Sequence, residues 1–198
     1  PGAPEPPAAV SACPAGDVHT RVMTDGPDDQ LDQITQLLSA TISAARESIV
    51  IVTPYFLPPR EIIGALQSAS LRGVKVSLVL PEKNNLPFVH WATRNMLWEL
   101  LYKGIEVSYQ PPPFAHTKLF VIDQHYALVG SSNWDSRSLR LNFELQLEIF
   151  SPDLVRRIVD LARDAARRGR QVTLDEVDGR SLPVRLRDSF CWLFSPYL

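Results

Sequence analysis

A histidine and a lysine two residues apart carry the clearest chemical content of this 198-residue sequence. His116 and Lys118 lie at the start of a predicted strand over residues 117–123. Side chains two residues apart on a strand point to the same face, so the imidazole and the ammonium are expected to converge. Such a pair suits an anionic substrate, because the ammonium neutralises phosphate oxygens while the imidazole acts as nucleophile or proton carrier.

A second short predicted strand is followed by Gly130, Ser131, Ser132 and Asn133. Hydroxyls, backbone N–H groups and an amide can all hold phosphate oxygens. We expect Ser131 to contact phosphate and Ser132 to point away. Asp123 completes the candidate catalytic set. Its strand parity is opposite to that of Lys118, which predicts that it pins a loop by hydrogen bonds and does not carry a proton.

The other histidines do not repeat this pattern. His19, His90 and His125 have no lysine two residues later in the chain. Each is interpreted as a surface or packing histidine. The candidate site therefore has one histidine of the required kind.

The elements that must position these residues follow from hydrophobic periodicity. We expect helices over 28–46, 59–72, 87–103 and 151–168, and strands over 48–53, 74–80, 105–109, 117–123, 126–129 and 143–150. Gly73, Gly104 and Gly169 are expected to end helices. Helices alternating with strands predict a layered α/β domain with a mostly parallel or mixed sheet flanked by helices.

The two ends of the chain differ in composition. Residues 1–16 are rich in proline and alanine and are interpreted as a linker or tail, which leaves 17–198 as one domain. The apolar segment 189–198 either docks on the core as a strand or helix, or contacts a membrane surface. Cys13 and Cys191 form no CxxC pair and lie near no histidine, which disfavours a zinc site. They are interpreted as buried or idle thiols, with a disulfide between them as the alternative.

Charge and hydropathy limit the class of protein. The formal net charge is -2 at pH 7, whereas general nucleic-acid binders have a basic excess. Five arginines on the last predicted helix, at positions 156, 157, 163, 167 and 168, form either a solvated face or a contact for anionic lipid. No run of about 18 apolar residues occurs, so no membrane-spanning helix is predicted.

The spacing H-x-K-x4-D-x6-G-S-x-N, which runs from His116 to Asn133, resembles the signature of the phospholipase D superfamily. Further segments narrow the resemblance to the carboxy-terminal half of bacterial cardiolipin synthases. These segments are Thr53-Pro54-Tyr55-Phe56, Leu80-Pro81-Glu82-Lys83, Asn133-Trp134-Asp135, Arg137-Ser138 and Leu141-Asn142-Phe143-Glu144. The resemblance covers residues 20–198 and implies a phospholipase D-like layered fold with a single repeat.

This resemblance implies a phosphatidyltransferase that joins two phosphatidylglycerol molecules into cardiolipin and releases glycerol, without a metal or other cofactor. One histidine attacks phosphorus to give a phosphohistidine and a second protonates the leaving alcohol. Lys118 and Asn133 would stabilise charge on phosphate oxygens. Glu144 would hydrogen-bond a catalytic histidine, or else be a strand carboxylate that faces solvent. Arg137 would reach a lipid phosphate, or else form a salt bridge.

The chain departs from the family pattern because it contains one such motif where the mechanism needs two histidines. The second half would come from a longer polypeptide or from a second copy in a homodimer. In two-half relatives the second-half histidine usually takes the acid role, which favours that role for His116. The implied location is the inner membrane, peripherally for this part of the chain, with the cytoplasmic side as one option.

Two alternatives remain open at this stage. A homodimeric phosphodiesterase would hydrolyse phospholipid or nucleic acid, although the near-neutral charge disfavours nucleic acid. A catalytically silent half would only dimerise or regulate. Tyr55 and Phe56 would line a lipid entrance in an enzyme, or else pack in the core.

Overall fold

A computed structural model describes residues 16–27 and 32–197. Its strands are β1 (Thr20–Asp25), β2 (Ser48–Val52), β3 (Phe56–Leu57), β4 (Lys75–Pro81), β5 (Glu106–Gln110), β6 (Leu119–Ile122), β7 (Tyr126–Gly130), β8 (Trp134–Asp135), β9 (Glu144–Ile149) and β10 (Arg170–Gln171). Its helices are α1 (Gln33–Ala44), α2 (Arg60–Leu71), α3 (Pro87–Leu101), α4 (Ser136–Arg140), α5 (Pro152–Arg168), α6 (Leu174–Asp178) and α7 (Leu182–Trp192).

One mixed sheet of eight strands forms the centre, in the order β1-β9-β7-β6-β2-β4-β5-β10. The β2–β4 and β4–β5 pairs are parallel. The remaining neighbours in this sheet are antiparallel. Strands β3 and β8 form a separate parallel pair. The expectation of an α/β fold with a mixed sheet is therefore confirmed.

The sheet has an apolar core on each face. On one face Ile49, Ile51 and Phe120 are buried with residues of α1, α2, α3 and α7. On the other face Val50 and Val52 pack in a cluster with residues of α5. Because β2 is covered on both faces, its sequence is a continuous apolar run and does not alternate with polar residues.

Several predicted boundaries shift in the structure. Helix α1 begins at Gln33, while residues 28–31 of the predicted helix lie outside the described residues. Gly73 and Gly104 end α2 and α3 with φ of 91° and 76°, the left-handed conformation expected of a glycine at such a position. Strand β6 begins at Leu119, so the prediction that it starts at Thr117 was wrong.

Two elements at the chain ends complete the fold. Strand β1 pairs antiparallel with β9 at the edge of the sheet, although no strand was predicted there. Helix α7 packs on α3 and buries Cys191. The docked form of the apolar C-terminal segment is therefore confirmed for the described residues, up to Tyr197. Residues 1–15, which include Cys13, lie outside them.

Helix α5 presents its arginines to solvent. Arg156 pairs with Asp153, and Arg168 pairs with Asp164 one turn away. This geometry supports a solvated face for the arginine cluster. Within residues 16–27 and 32–197, no helix has the length and apolar character needed to cross a bilayer.

Candidate active site

The candidate residues meet at one edge of the central sheet. The parallel strands β2 and β4 end there at Val52 and Pro81, and β7 ends there at Gly130. Strands β6 and β9 run the other way and begin there at Leu119 and Glu144. Loops that leave and enter the sheet at this edge bring residues far apart in sequence into one site.

His116 and Lys118 come together at this edge. Lys118 Nζ lies 3.1 Å from His116 Nδ1 and 3.4 Å from Nε2, and it donates to the His116 carbonyl at 3.2 Å. The predicted convergence of imidazole and ammonium is therefore confirmed, although both residues precede the strand. His116 is exposed and Lys118 is half-buried, so a substrate phosphate can approach both.

Burial and neighbouring charges tune both groups. Partial desolvation lowers the pKa of His116 below its ordinary value, and the adjacent Lys118 charge lowers it further. Burial also lowers the pKa of Lys118, while the carboxylates of Glu144 and Asp135 oppose that change. A neutral imidazole beside an ammonium is the protonation state that binds an anion and still accepts a proton.

Aromatic side chains surround the His116 ring. Tyr55 meets it edge-on with ring centroids 5.9 Å apart, and Phe114 lies at 6.0 Å. The Tyr55 hydroxyl donates to Asn85 Oδ1 at 2.8 Å, which fixes the ring. Phe56 is fully buried in the core. Of the two aromatic residues weighed in the sequence, Tyr55 alone lines the site.

The loop after β7 places Asn133 next to Lys118. A side chain at Gly130 would collide with Gln146 and with the Leu145 carbonyl, so the close approach of β7 to β9 requires a glycine there. Ser132 Oγ and Asn133 Oδ1 are buried, and within the described residues they have no hydrogen-bond partner. They line a cavity of about 10 Å³ together with Lys118. Ser132 was expected to point away, whereas it is buried here.

Glu144 holds this loop through hydroxyl and amide donors. Its carboxylate accepts from Ser131 Oγ, from Ser138 Oγ at 2.5 Å and from Asn142 Nδ2 at 3.2 Å. Among the described residues it accepts no hydrogen bond from His116, and the contact with a catalytic histidine that the resemblance implied stays a prediction. Glu144 is also buried and does not face solvent. In this chain it organises the loop that carries Asn133.

Ser131 and Arg137 are both exposed and contact other groups of the protein. Ser131 Oγ donates to Glu144 and accepts from the Leu145 N–H at 2.9 Å. Arg137 is exposed on α4, and its positive charge lowers the pKa of Asp135. Their roles in holding phosphate stay predictions.

Asp123 lies at the opposite end of β6 from Lys118. Its carboxylate accepts from the backbone N–H groups of Arg46, Glu47 and Ser48, each at 2.8 Å. Asp123 and Gln124 have φ of 50° and 59°, as in a tight hairpin turn. The loop-pinning role expected for Asp123 is confirmed. The sheet places it away from the reacting groups.

Ser138 and Asp135 are site residues that the sequence did not single out for chemistry. Ser138 is 1% exposed, and its hydroxyl accepts from the Asn133 N–H at 2.9 Å while donating to Glu144. Asp135 caps α4 by accepting from the Ser138 N–H at 2.7 Å. Both could have been found from their distance to Asn133 in the sequence. Asp135 lies two residues and Ser138 five residues after Asn133, in the short strand and helix that follow it.

Burial raises the pKa of Asp135 to about 6, and the negative charge of Glu144 adds to the effect. A folded-state pKa above the ordinary 3.8 means that the folded protein holds the proton more tightly. Stability then falls as pH rises from about 4 to about 6, by about 2–3 kcal/mol. We expect the stability of the Asp135→Asn variant not to fall over this pH range. Urea unfolding of both proteins across that pH range measures it, and parallel curves would contradict the assignment.

Removing the Ser138 hydroxyl leaves two buried groups without their partner. We expect Ser138→Ala to lower the free energy of unfolding by about 1–3 kcal/mol, because the Asn133 N–H and one Glu144 oxygen lose a hydrogen bond. Urea denaturation measures the change. Ser43→Ala is the matched control, since Ser43 Oγ is exposed and bonds only within its own helix. Equal effects from both variants would contradict the role given to Ser138.

The chain is similar in sequence to a known protein family. Residues 38–164 match the family described as "Cardiolipin synthase, PLD-like domain". The chain is 36% identical over 185 residues to the major cardiolipin synthase ClsA of Bacillus subtilis, covering 93% of this chain and 38% of the relative. It is also 36% identical over 179 residues to cardiolipin synthase A of Proteus mirabilis, covering 90% of this chain and 37% of that protein.

Solved structures share the fold at lower identity. Nuc from Salmonella typhimurium, a phospholipase D family member, aligns with a TM-score of 0.66 at 24% identity, covering 78% of this chain and 99% of Nuc. Phosphatidylserine synthase from Haemophilus influenzae aligns with a TM-score of 0.72 at 16% identity, covering 91% of this chain and 48% of that one. The fold is thus that of the phospholipase D superfamily.

Within that superfamily, the chain belongs to the PLD-like domain family of cardiolipin synthases. The resemblance drawn from the sequence is confirmed. The chain spans 38% of the length of the first curated relatives that it matches.

Proposed function

We propose that this chain supplies one half of the active site of a phosphatidyltransferase of the cardiolipin synthase type. The reaction joins two phosphatidylglycerol molecules into cardiolipin and releases glycerol. The observation that carries the proposal is the contact of Lys118 Nζ with His116 Nδ1 at 3.1 Å, beside Asn133 at the sheet edge. Membership of the family supports the choice of lipid.

The chemistry proceeds in two displacements at phosphorus. In the first, an imidazole nitrogen attacks the phosphorus of one phosphatidylglycerol. The bond from phosphorus to the headgroup oxygen breaks, and a second imidazole gives its proton to the leaving glycerol. In the second, a hydroxyl of another phosphatidylglycerol attacks the phosphohistidine, passes its proton to the second imidazole and releases the first. The product is cardiolipin, and both histidines return to their starting states.

In this scheme His116 is the acid and base, and the nucleophile comes from the other half. This assignment follows the resemblance, in which the second-half histidine takes the acid role. The first step needs protonated His116, and the second step needs the neutral form that its lowered pKa favours. Lys118 and the Asn133 amide hold the non-bridging oxygens, whose negative charge grows in each transition state. Tyr55 and Phe114 exclude water from one side of the imidazole.

The second half of the site comes either from the remainder of a longer polypeptide or from a second copy of this chain. The chain carries a single motif of this type and covers 38% of its B. subtilis relative, which supports the first route. Pairing about a two-fold axis would also bring two His116 residues together. Both routes place the reaction on anionic phospholipid at the inner membrane, with this part of the protein peripheral to it.

A second candidate is a phosphodiesterase that transfers the phosphatidyl group to water. The exposure of His116 favours it, because water reaches an open imidazole as easily as a lipid hydroxyl does. Closure of the second half over the site would remove that access. A site covered by the second half is therefore expected to transfer the phosphatidyl group to a lipid hydroxyl, and an open site is expected to transfer it to water.

Product analysis tests the proposal and separates the candidates. The protein is incubated with phosphatidylglycerol vesicles, and lipids are identified by mass spectrometry. Cardiolipin with an equal amount of glycerol is the expected result. Phosphatidic acid with glycerol would replace the transferase by the phosphodiesterase. Both candidate functions would be overturned if neither this chain nor a longer protein that contains it formed cardiolipin or phosphatidic acid.

A further inference from the structure

The outward face of α7 carries a stripe of large apolar side chains. We define the apolar stripe as Leu182, Leu186, Phe190, Leu193, Phe194 and Tyr197. Each is between 47% and 78% exposed. The spacing of three or four residues keeps them on one helical face. After Trp192 the chain continues in hydrogen-bonded turns, in which the Tyr197 N–H donates to the Phe194 carbonyl at 2.8 Å.

The exposure of this face does not come from a loosely attached helix. The inward face of α7 is fixed by Asp188, which is fully buried and accepts from Arg94 at 2.7 Å and from Arg187 at 2.8 Å. Cys191 packs into the core one turn later. Because α7 is held rigidly, its outward side chains stand at a defined surface.

The charge beside the stripe is positive. Arg185 is exposed, and the three arginines that surround Asp188 outnumber its single negative charge. Within the described part of the segment 182–197, Asp188 is the only carboxylate, and it is buried. Apolar and aromatic side chains flanked by arginine match an anionic bilayer surface, where aromatic rings lie at headgroup level.

A cavity lies at the C-terminal end of α7, and its lining is mostly apolar apart from the Arg60–Glu99 ion pair. It has a volume of about 310 Å³ and is lined by Leu57, Pro58, Ile63, Met96, Trp192 and Pro196, among others. Ser136 also lines it, three residues after Asn133. A cavity of this size and lining lies in the range used for apolar ligands. Trp192 of α7 and Ser136 of α4 therefore line the same cavity.

We propose that the apolar stripe of α7 seats this domain on an anionic lipid bilayer. The proposal rests on the proposed function, because an enzyme that uses phosphatidylglycerol must meet the bilayer that contains it. Arg185, which is exposed on α7, attracts anionic headgroups, while the leucine and phenylalanine side chains enter the interface.

Vesicle flotation tests the proposal without an assay of turnover. The full chain is mixed with vesicles of phosphatidylcholine alone or of equal parts phosphatidylcholine and phosphatidylglycerol. We expect binding to the anionic vesicles, and binding weaker by about tenfold or more in the double variant Phe190→Ser, Leu193→Ser. Leu161→Ser is the matched control, since Leu161 is 66% exposed on α5, which covers the opposite face of the sheet. Thermal unfolding verifies that all three proteins are equally folded.

Other outcomes would overturn the proposal. Absence of wild-type flotation, or equal flotation of the double variant, would show that the stripe does not meet lipid. A wild-type dimer in light scattering that the double variant breaks, with flotation unchanged, would assign the stripe to a second copy. His116→Asn is expected to float as the wild type does. If it also retained turnover, the proposed function would fail while the docking surface stood.

Discussion

Replacing His116 with asparagine is expected to lower phosphodiester turnover by about 10²–10⁴-fold, the usual contribution of a positioned acid or base. Asparagine keeps a polar side chain of similar reach but cannot exchange a proton near neutral pH. Lys118 would retain its position and its charge, so substrate binding is expected to change far less than the rate. Measurement of kcat and KM with phosphatidylglycerol vesicles separates the two effects.

His125 provides the matched control for this experiment. It is exposed in the turn between β6 and β7, at the end of the sheet opposite His116. His125→Asn therefore removes an exposed histidine without touching the site. The assignment of His116 would be refuted by full turnover in His116→Asn, or by equal losses in both variants.

Replacing Asp188 with alanine is expected to cost about 3 kcal/mol of stability, at the lower end of values for breaking a buried ion pair. Burial alone would raise the pKa of this carboxyl, but hydrogen bonds from Arg94 and Arg187 hold it below its ordinary value. Its loss leaves Arg94, Arg180 and Arg187 facing one another without a counter-charge. Because the Arg94–Asp188 ion pair joins α3 to α7, the helix α7 is expected to detach first.

Urea unfolding measures this cost, with Asp164→Ala as the control. Asp164 pairs with Arg167 and Arg168 on the exposed face of α5, where such pairs contribute about 0–1 kcal/mol. Hydrogen exchange of the α7 amides shows whether that helix opens before the sheet. A loss in Asp188→Ala no larger than in the control would mean that the buried cluster does not hold the C-terminal segment.

The sequence predicts best those elements whose pattern is local. Helix α2 and strand β4 were placed within two residues of their ends, because apolar periodicity and the left-handed Gly73 mark them. Strand β1 was missed for the opposite reason. Thr20–Asp25 becomes a strand by pairing with β9, more than 100 residues later, and no local pattern encodes that partner.

The candidate site divides in the same way. The meeting of His116 with Lys118 was predicted from their spacing, although both residues precede β6, and the loop-pinning role of Asp123 was predicted without its partners at residues 46–48. The surroundings of Glu144 were not predicted, since Ser131 in the loop after β7 and Ser138 on α4 reach it only in the folded chain. Asp135 likewise gains its raised pKa from tertiary burial. Identity of a side chain is visible in a sequence, whereas its desolvation is not.

The central claim is that one chain holds only half of a two-histidine site. The rate of cardiolipin formation per chain, measured over a range of protein concentrations with mass photometry on the same samples, tests it most directly. Monomers are expected to show no turnover, whereas paired copies, or a longer protein that supplies the second half, are expected to form cardiolipin. Measurable cardiolipin formation, at a constant rate per chain, in samples that contain only monomers would contradict the half-site proposal.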